Sequence, residues 1–201
     1  MPARLNSAVR YVVACLACAT VASSLSVGAA TPGDLQGVVR VAGRTAKEVV
    51  VWLDAPAAPP SPGRVTATLD QRNMQFVPRV LAVRVGTQVK MPNSDRLLHN
   101  VFSFHDGKVF DLGIYPVGTS RVVRFDKAGL SRIYCNIHPT MGAYVVSVDS
   151  PYFAVSDTQG RFAIPLVPDG TYTYHVWRSG AEPTSGTLIA AAGRAVEIEL
   201  P

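Results

Sequence analysis

Cysteine is scarce in this chain of 201 residues: there are three, and two of them, Cys15 and Cys18, fall within the first 30 positions. Long apolar runs are missing after residue 30, where nothing approaches the roughly 18 residues a membrane-spanning helix needs. Lys and Arg form no cluster, which argues against nucleic acid and anionic membrane as partners. No sustained helical period follows residue 31. There is no Ser-His-Asp order, phosphate-binding loop or carboxylate pair to suggest catalysis, so the chain reads as a non-enzyme. The histidines, His99, His105, His138 and His175, include no His-x-His pair.

The N-terminal 30 residues run from a basic start (MPARLNSAVR) through an apolar stretch (YVVACLACATVASSLSV) to small residues (VGAA) and the turn-forming TPGD. That order predicts a secretory signal peptide over 1–30, cleaved near Ala29 or Ala30. A retained membrane anchor fits less well, because Thr20, Ser23, Ser24 and Ser26 dilute the apolar segment, and no stable membrane insertion is expected. Arg10 lies too close upstream for Cys15 or Cys18 to follow a full lipoprotein-type segment. Export to the periplasm removes Arg4 and Arg10, leaving 17 basic against 14 acidic side chains and a net charge of +3. It also leaves Cys135 as the one thiol in a compartment where thiols pair or oxidise, and metal ligation is one way to protect it.

Short runs rich in Val, Ile, Phe and Tyr recur through the mature chain, punctuated by Gly, Pro, Asn and Asp: LQGVVRVAG, KEVVVWLDAP, RVLAVRVGTQV, HNVFSF, GAYVVSVD, GTYTYHVW. Strands at this spacing predict an all-β sandwich or barrel. In RVLAVRVGTQV, Val80, Ala82 and Arg84 alternate with Leu81, Val83 and Val85, so the two sets face opposite ways. The Pro-rich APAAPPSPG at 55–63 reads as a linker, since proline cannot join a sheet interior, and DSPY at 149–152 reads as a second seam.

The stretch IYCNIHPTMG, residues 133–142, concentrates the candidate chemistry. Cys135 shares a strand face with Ile133 and should enter the interior at the strand's end. Cys135, His138 and Met141 then lie on one tight loop before the next strand, with Pro139 restricting the backbone beside His138. His99, which opens HNVFSF, offers a second imidazole from a loop-to-strand junction. A thiolate, two imidazoles and a thioether form a soft donor set, and two His and one Cys with a weak axial Met is the pattern of a blue-copper centre. Structural zinc favours more cysteines and takes Met poorly. A sulfur-bridged binuclear copper site would need a second cysteine, multicopper oxidase chemistry would need His-x-His pairs, and a redox disulfide would need a second thiol. For any one of these residues, a buried cysteine or a turn-capping histidine remains the rival reading. His105, in FSFHDGK, reads as an exposed turn residue, His175 and Trp177 as a packed strand face, and Met74 and Met91 as filler. Phe110 and Asp111 read as the plug and cap of a turn.

CNIHPTM, with HNVFSF upstream, resembles the cupredoxin family, the plastocyanin and amicyanin group, and its Cys-x-x-His-x-x-Met spacing is most similar to the short amicyanin-type loop. The run from QFVPRVLAVRVGTQVKMPNSD through FDLGIYPVG, YCNIHPTM and DTQGRFAIPLVPDGTYTYHVW is similar to bacterial plastocyanin-like proteins of the methylamine utilisation type. The resemblance implies one copper ion, Cu(I)/Cu(II), held by His99, Cys135, His138 and Met141. It also implies a supporting role for Asn100, which would tie the two ligand loops together by hydrogen bonds, beside Pro139. GRFAIPLVPDGTYTYHVW and LQGVVRVAGRTAKEVVVWLDAP resemble a carboxypeptidase regulatory-like, carbohydrate-binding-like β-sandwich. The expected organisation is therefore a cupredoxin Greek-key sandwich at 61–149 inserted into a smaller sandwich built from 31–60 and 150–201; one enlarged sandwich is the alternative.

Two functions follow as expectations. One is a monomeric electron carrier between periplasmic redox protein partners; the other is a module that holds copper, or docks a protein or glycan, without carrying electrons. Limited proteolysis tests the organisation: cuts near 60 and 150 should release a compact copper-binding core, and their failure to do so would rule out the insertion.

Overall fold

The computed structural model describes residues 33–55, 65–104 and 106–201. The expected signal peptide, most of the Pro-rich linker and His105 lie outside the described residues. Every regular element among the described residues is a β-strand, as the alternating runs of Val, Ile and Tyr imply.

One sandwich is assembled from the middle of the chain. A five-stranded sheet runs in the order Phe110–Tyr115, His99–Ser103, Gly129–Tyr134, Gly142–Val148, Val80–Arg84. It faces a three-stranded sheet of Ser120–Arg124, Gln88–Pro92 and Val65–Thr68. Alternate side chains of both sheets turn inward: Val83, Val101, Ile133 and Val145 from the first meet Val89, Met91 and Val123 from the second. Cys135 and Met141 belong to that same cluster.

A second sandwich is assembled from both ends of the described chain. Gly33–Val41 pairs antiparallel with Arg161–Val167 on one side and parallel with Val196–Leu200 on the other. Across from it lies a sheet in the order Phe153–Val155, Val50–Leu53, Gly170–Trp177, Thr184–Ala190. Leu35, Val39, Val51, Leu53, Ile164, Val176 and Ile198 fill the space between them. Pro165 is tolerated because Arg161–Val167 is an edge strand, where a missing N–H donor breaks no ladder. Gly37 is needed within its own sheet: Phe162 stands opposite it on the neighbouring strand, and a Cβ there would lie 2.5 Å from the Phe162 ring.

A third cluster joins the two sandwiches. Val50 and Trp177 of the second pack on Val80, Val146 and Val148 of the first. The five-stranded sheet is therefore covered on both faces at this end, which explains why AYVV, residues 143–146, reads as an unbroken apolar run where a half-exposed strand would alternate. Burying each such aliphatic side chain contributes roughly 1.5–3 kcal/mol.

Tyr115 shows how the first core treats a polar group. Its ring is fully buried, and its hydroxyl donates to the Met91 carbonyl at 2.9 Å and accepts from Gln71 Nε2 at 2.6 Å. Burial pushes the phenol up from 10.0 to about 12. The neutral phenol stabilises the fold fully below pH 10.0, and that contribution is lost as pH rises towards about 12, because the unfolded chain ionises first. Tyr115→Phe should cost about 1–3 kcal/mol in denaturant unfolding at neutral pH by leaving the Gln71 amide and the Met91 carbonyl short of a partner. The gap between the two proteins should stay constant up to about pH 10 and narrow above it; a gap that widens instead would contradict the assignment.

Candidate metal centre

The residues of the centre are delivered by strand ends. His99 starts the strand His99–Ser103 and shares its core-facing side with Val101, which leaves the imidazole with no exposed surface. Cys135 directly follows the strand Gly129–Tyr134 on the inward side of Ile133 and is 4% exposed. From there the chain turns: the Met141 N–H donates to the His138 carbonyl at 2.9 Å, with Pro139 in the second position of the turn, where its fixed φ suits the geometry. Met141 is buried at the foot of the strand Gly142–Val148, and His138 is half-buried.

Three side chains converge. The His99 and His138 Nδ1 atoms lie 3.0 Å apart, and Cys135 Sγ lies 3.9 Å from the first and 3.8 Å from the second. An ion about 2.0 Å from each nitrogen and about 2.3 Å from sulfur spans those separations at angles of about 97, 124 and 130°. These angles are close to the roughly 360° total of a planar three-donor arrangement, so the cluster fits a trigonal N₂S set. Cys135 is a free thiol, and no other group of His, Cys, Asp or Glu among the described residues forms a comparable cluster.

The His99 ring is oriented from behind. Its Nε2 lies 2.9 Å from Asp95 Oδ2. The Met74 N–H bonded to that same oxygen at 2.6 Å is the main reason the Asp95 carboxyl sits low, at about 2. The Arg96 N–H, 2.7 Å from Oδ1, and the His99 contact act in the same direction, and burial opposes them. An ionised carboxylate only accepts, so Nε2 carries the ring proton and Nδ1 presents a lone pair to the cluster. Two ring nitrogens that face each other at 3.0 Å need a proton or a cation between them.

The loop that carries Asp95 is itself pinned. Asn93 is fully buried; its Oδ1 accepts the Asp95 N–H at 3.1 Å, and its Nδ2 donates to the carbonyls of Leu97 at 2.8 Å and Tyr115 at 3.2 Å. Asn100 links the start of the strand His99–Ser103 to the loop after Cys135: its Oδ1 accepts the Asn136 N–H at 3.4 Å, while its Nδ2 donates to Asp111 Oδ1 at 2.8 Å. Asp111 Oδ1 also accepts the Gly113 N–H at 2.9 Å, the turn cap expected from VFDLG.

Of the residues singled out in the sequence, His99, Cys135 and His138 come together, and Met141 is buried in the core cluster that contains Cys135. His175 is elsewhere, stacked on Trp52 at 5.2 Å between ring centroids with its Nε2 2.8 Å from Asp54 Oδ1. Met91 is core and Met74 is exposed. Sequence reasoning missed Asp95 and Asn93. The available signal was the Asn-x-Asp turn in MPNSDRLLHN, four residues ahead of a histidine.

No family model and no curated protein matches this chain. Among solved structures, a purple cupredoxin from Nitrosopumilus maritimus is 26% identical over 41% of this chain and 99% of that one, with a TM-score of 0.38. A copper-containing nitrite reductase from Thermus scotoductus SA-01 is 24% identical over 41% of this chain and 22% of that one, with a TM-score of 0.39. A reduced amicyanin variant is 21% identical over 49% of this chain and 98% of that one, with a TM-score of 0.37.

If Asp95 fixes the tautomer and aim of His99, Asp95→Asn should weaken metal binding about 10–100-fold, read by competition with a chelator. Unchanged affinity would show that the contact does not orient a ligand.

Proposed function

We propose that the chain is an exported mononuclear type 1 copper protein, a cupredoxin that carries one electron at a time. The single observation that supports this most is the convergence of one sulfur and two imidazole nitrogens within 3.0–3.9 Å of one another. Copper bound there would supply a one-electron couple between Cu(I) and Cu(II). His99, Cys135 and His138 would hold it, and Met141, buried in the core cluster that contains Cys135, would offer a weak thioether donor. Cys135 must lose its proton to bind, so metal uptake releases a proton and strengthens with rising pH.

The rest of the site limits movement. The half-buried His138 ring provides the route by which an electron leaves, since His99 and Cys135 are closed off from solvent. The loops that carry the two histidines also carry exposed Leu97, Leu98 and Ile137. An apolar rim of this kind suits brief docking of a periplasmic redox protein by a monomeric carrier, because it leaves no buried charge to be desolvated. Pairing of Gly33–Val41 with Val196–Leu200 supports a division in which 61–149 holds the copper and 31–60 with 150–201 forms the second, regulatory-like body. Export is supported by the basic, apolar and small-residue order of 1–30; no helix among the described residues is long and apolar enough to cross a membrane.

The copper-loaded protein should be intensely coloured when oxidised, bleach on adding one electron per protein and recover on reoxidation. Cys135→Ser should abolish the colour while the fold persists, as judged by circular dichroism. A protein that is colourless with Cu(II) and retains only Cu(I) would contradict electron carriage and favour copper holding.

A further inference from the structure

The seam between the two sandwiches holds a cavity of about 350 Å³ that takes no part in the metal centre. Its wall is built from Trp52 and Trp177 of the second sandwich and from Leu130 and Val146 of the first, with Asp54 and Asp149 among its lining residues. Trp177 is nearly buried within the cluster that joins the sandwiches, and Trp52 packs against that cluster. His175 fixes two of these groups at once: its ring stacks on the Trp52 indole with 17° between planes, and its Nε2 lies 2.8 Å from Asp54 Oδ1.

The electrostatics of this cavity run against the rest of the chain. The protein carries a formal net charge of +5, yet among the described residues no Lys, Arg or His lines the cavity, and its two charged groups are both carboxylates. Indole faces attract cations through their quadrupole, most strongly where water is excluded. A volume of this size is at the small end of ligand pockets, which combine an apolar lining with a few polar groups that set orientation. An anion would meet two like charges, and a neutral apolar molecule would gain nothing from them.

We propose that this cavity binds a small organic ammonium ion, with its charge beside the Trp52 indole and against the carboxylates of Asp54 and Asp149 and its hydrocarbon body on Leu130, Val146 and the edge of Trp177. The site is independent of the copper reading and stands or falls separately from it.

Trp52 and Trp177 are the chain's only tryptophans; Trp177 also lines a neighbouring cavity with Arg132 and Glu182, so the Asp54 and Asp149 variants, which change this cavity and not that one, assign any change in emission. The full chain is titrated at constant ionic strength with choline, with its neutral carbon isostere 3,3-dimethylbutan-1-ol, and with glucose. Choline should give a saturable change in emission, the neutral isostere should bind roughly tenfold more weakly, and Asp149→Asn and Asp54→Asn should each weaken choline severalfold. Asp149→Asn changes an exposed carboxylate outside the His175 contact and should leave thermal unfolding and copper uptake as in the parent. No saturable response to millimolar choline, equal binding of the neutral isostere, a response to glucose in its place, or a choline response untouched in both variants would each overturn the proposal.

Discussion

His99 Nε2 and Asp95 Oδ2 lie 2.9 Å apart where the imidazole has no exposed surface, and much of the site follows from that contact. A buried imidazole with both nitrogens near acceptors could in principle present either one. The ionised carboxylate, held low by the N–H groups of Met74 and Arg96, takes the proton-bearing nitrogen and leaves Nδ1 facing Cys135 and His138. Asn93 places Asp95 by accepting its N–H and anchoring the loop to Leu97 and Tyr115. The aim of the His99 ring at one end of the sandwich thus depends on a chain of loop hydrogen bonds.

The β scaffold gives that chain something rigid to end on. Tyr115 links the same region to the facing sheet through Met91 and to the separate strand Asp70–Arg72 through Gln71, so the loop carrying Asp95 is braced from two sides. Cys135 and Met141 sit at the ends of adjacent strands whose register is fixed along six residue pairs, from Gly129↔Ser147 to Tyr134↔Gly142. Three side chains on a loop of seven residues keep their aim only because both ends are held by the sheet. The second sandwich adds to this by covering the outer face of Val80–Arg84 and Gly142–Val148, where Trp177 and Val50 pack.

What could be read in the sequence was whatever depends on local periodicity. Alternation in RVLAVRVGTQV and the spacing of Cys135, His138 and Met141 are local patterns, and both pointed to an all-β chain with one soft-donor loop. Asp95 was not legible, because its role arises from a turn that closes only when Asn93 is buried against Tyr115, 22 residues away. That the two ends of the chain build one sandwich was expected only from their resemblance to a common fold, and the parallel direction of Gly33–Val41 against Val196–Leu200 has no local signal. The same limit hid the meeting of Trp52 and Trp177: each reads as an ordinary strand aromatic until Val50–Leu53 and Gly170–Trp177 pair.

X-ray absorption at the copper edge of the loaded protein addresses the central claim most directly, because it counts ligands without relying on colour or activity. The account predicts one sulfur scatterer at about 2.3 Å or slightly less and two imidazole nitrogens at about 2.0 Å, with the sulfur shell lost in Cys135→Ser. A first shell made only of nitrogen and oxygen, or one in which a single imidazole accompanies the sulfur, would contradict it.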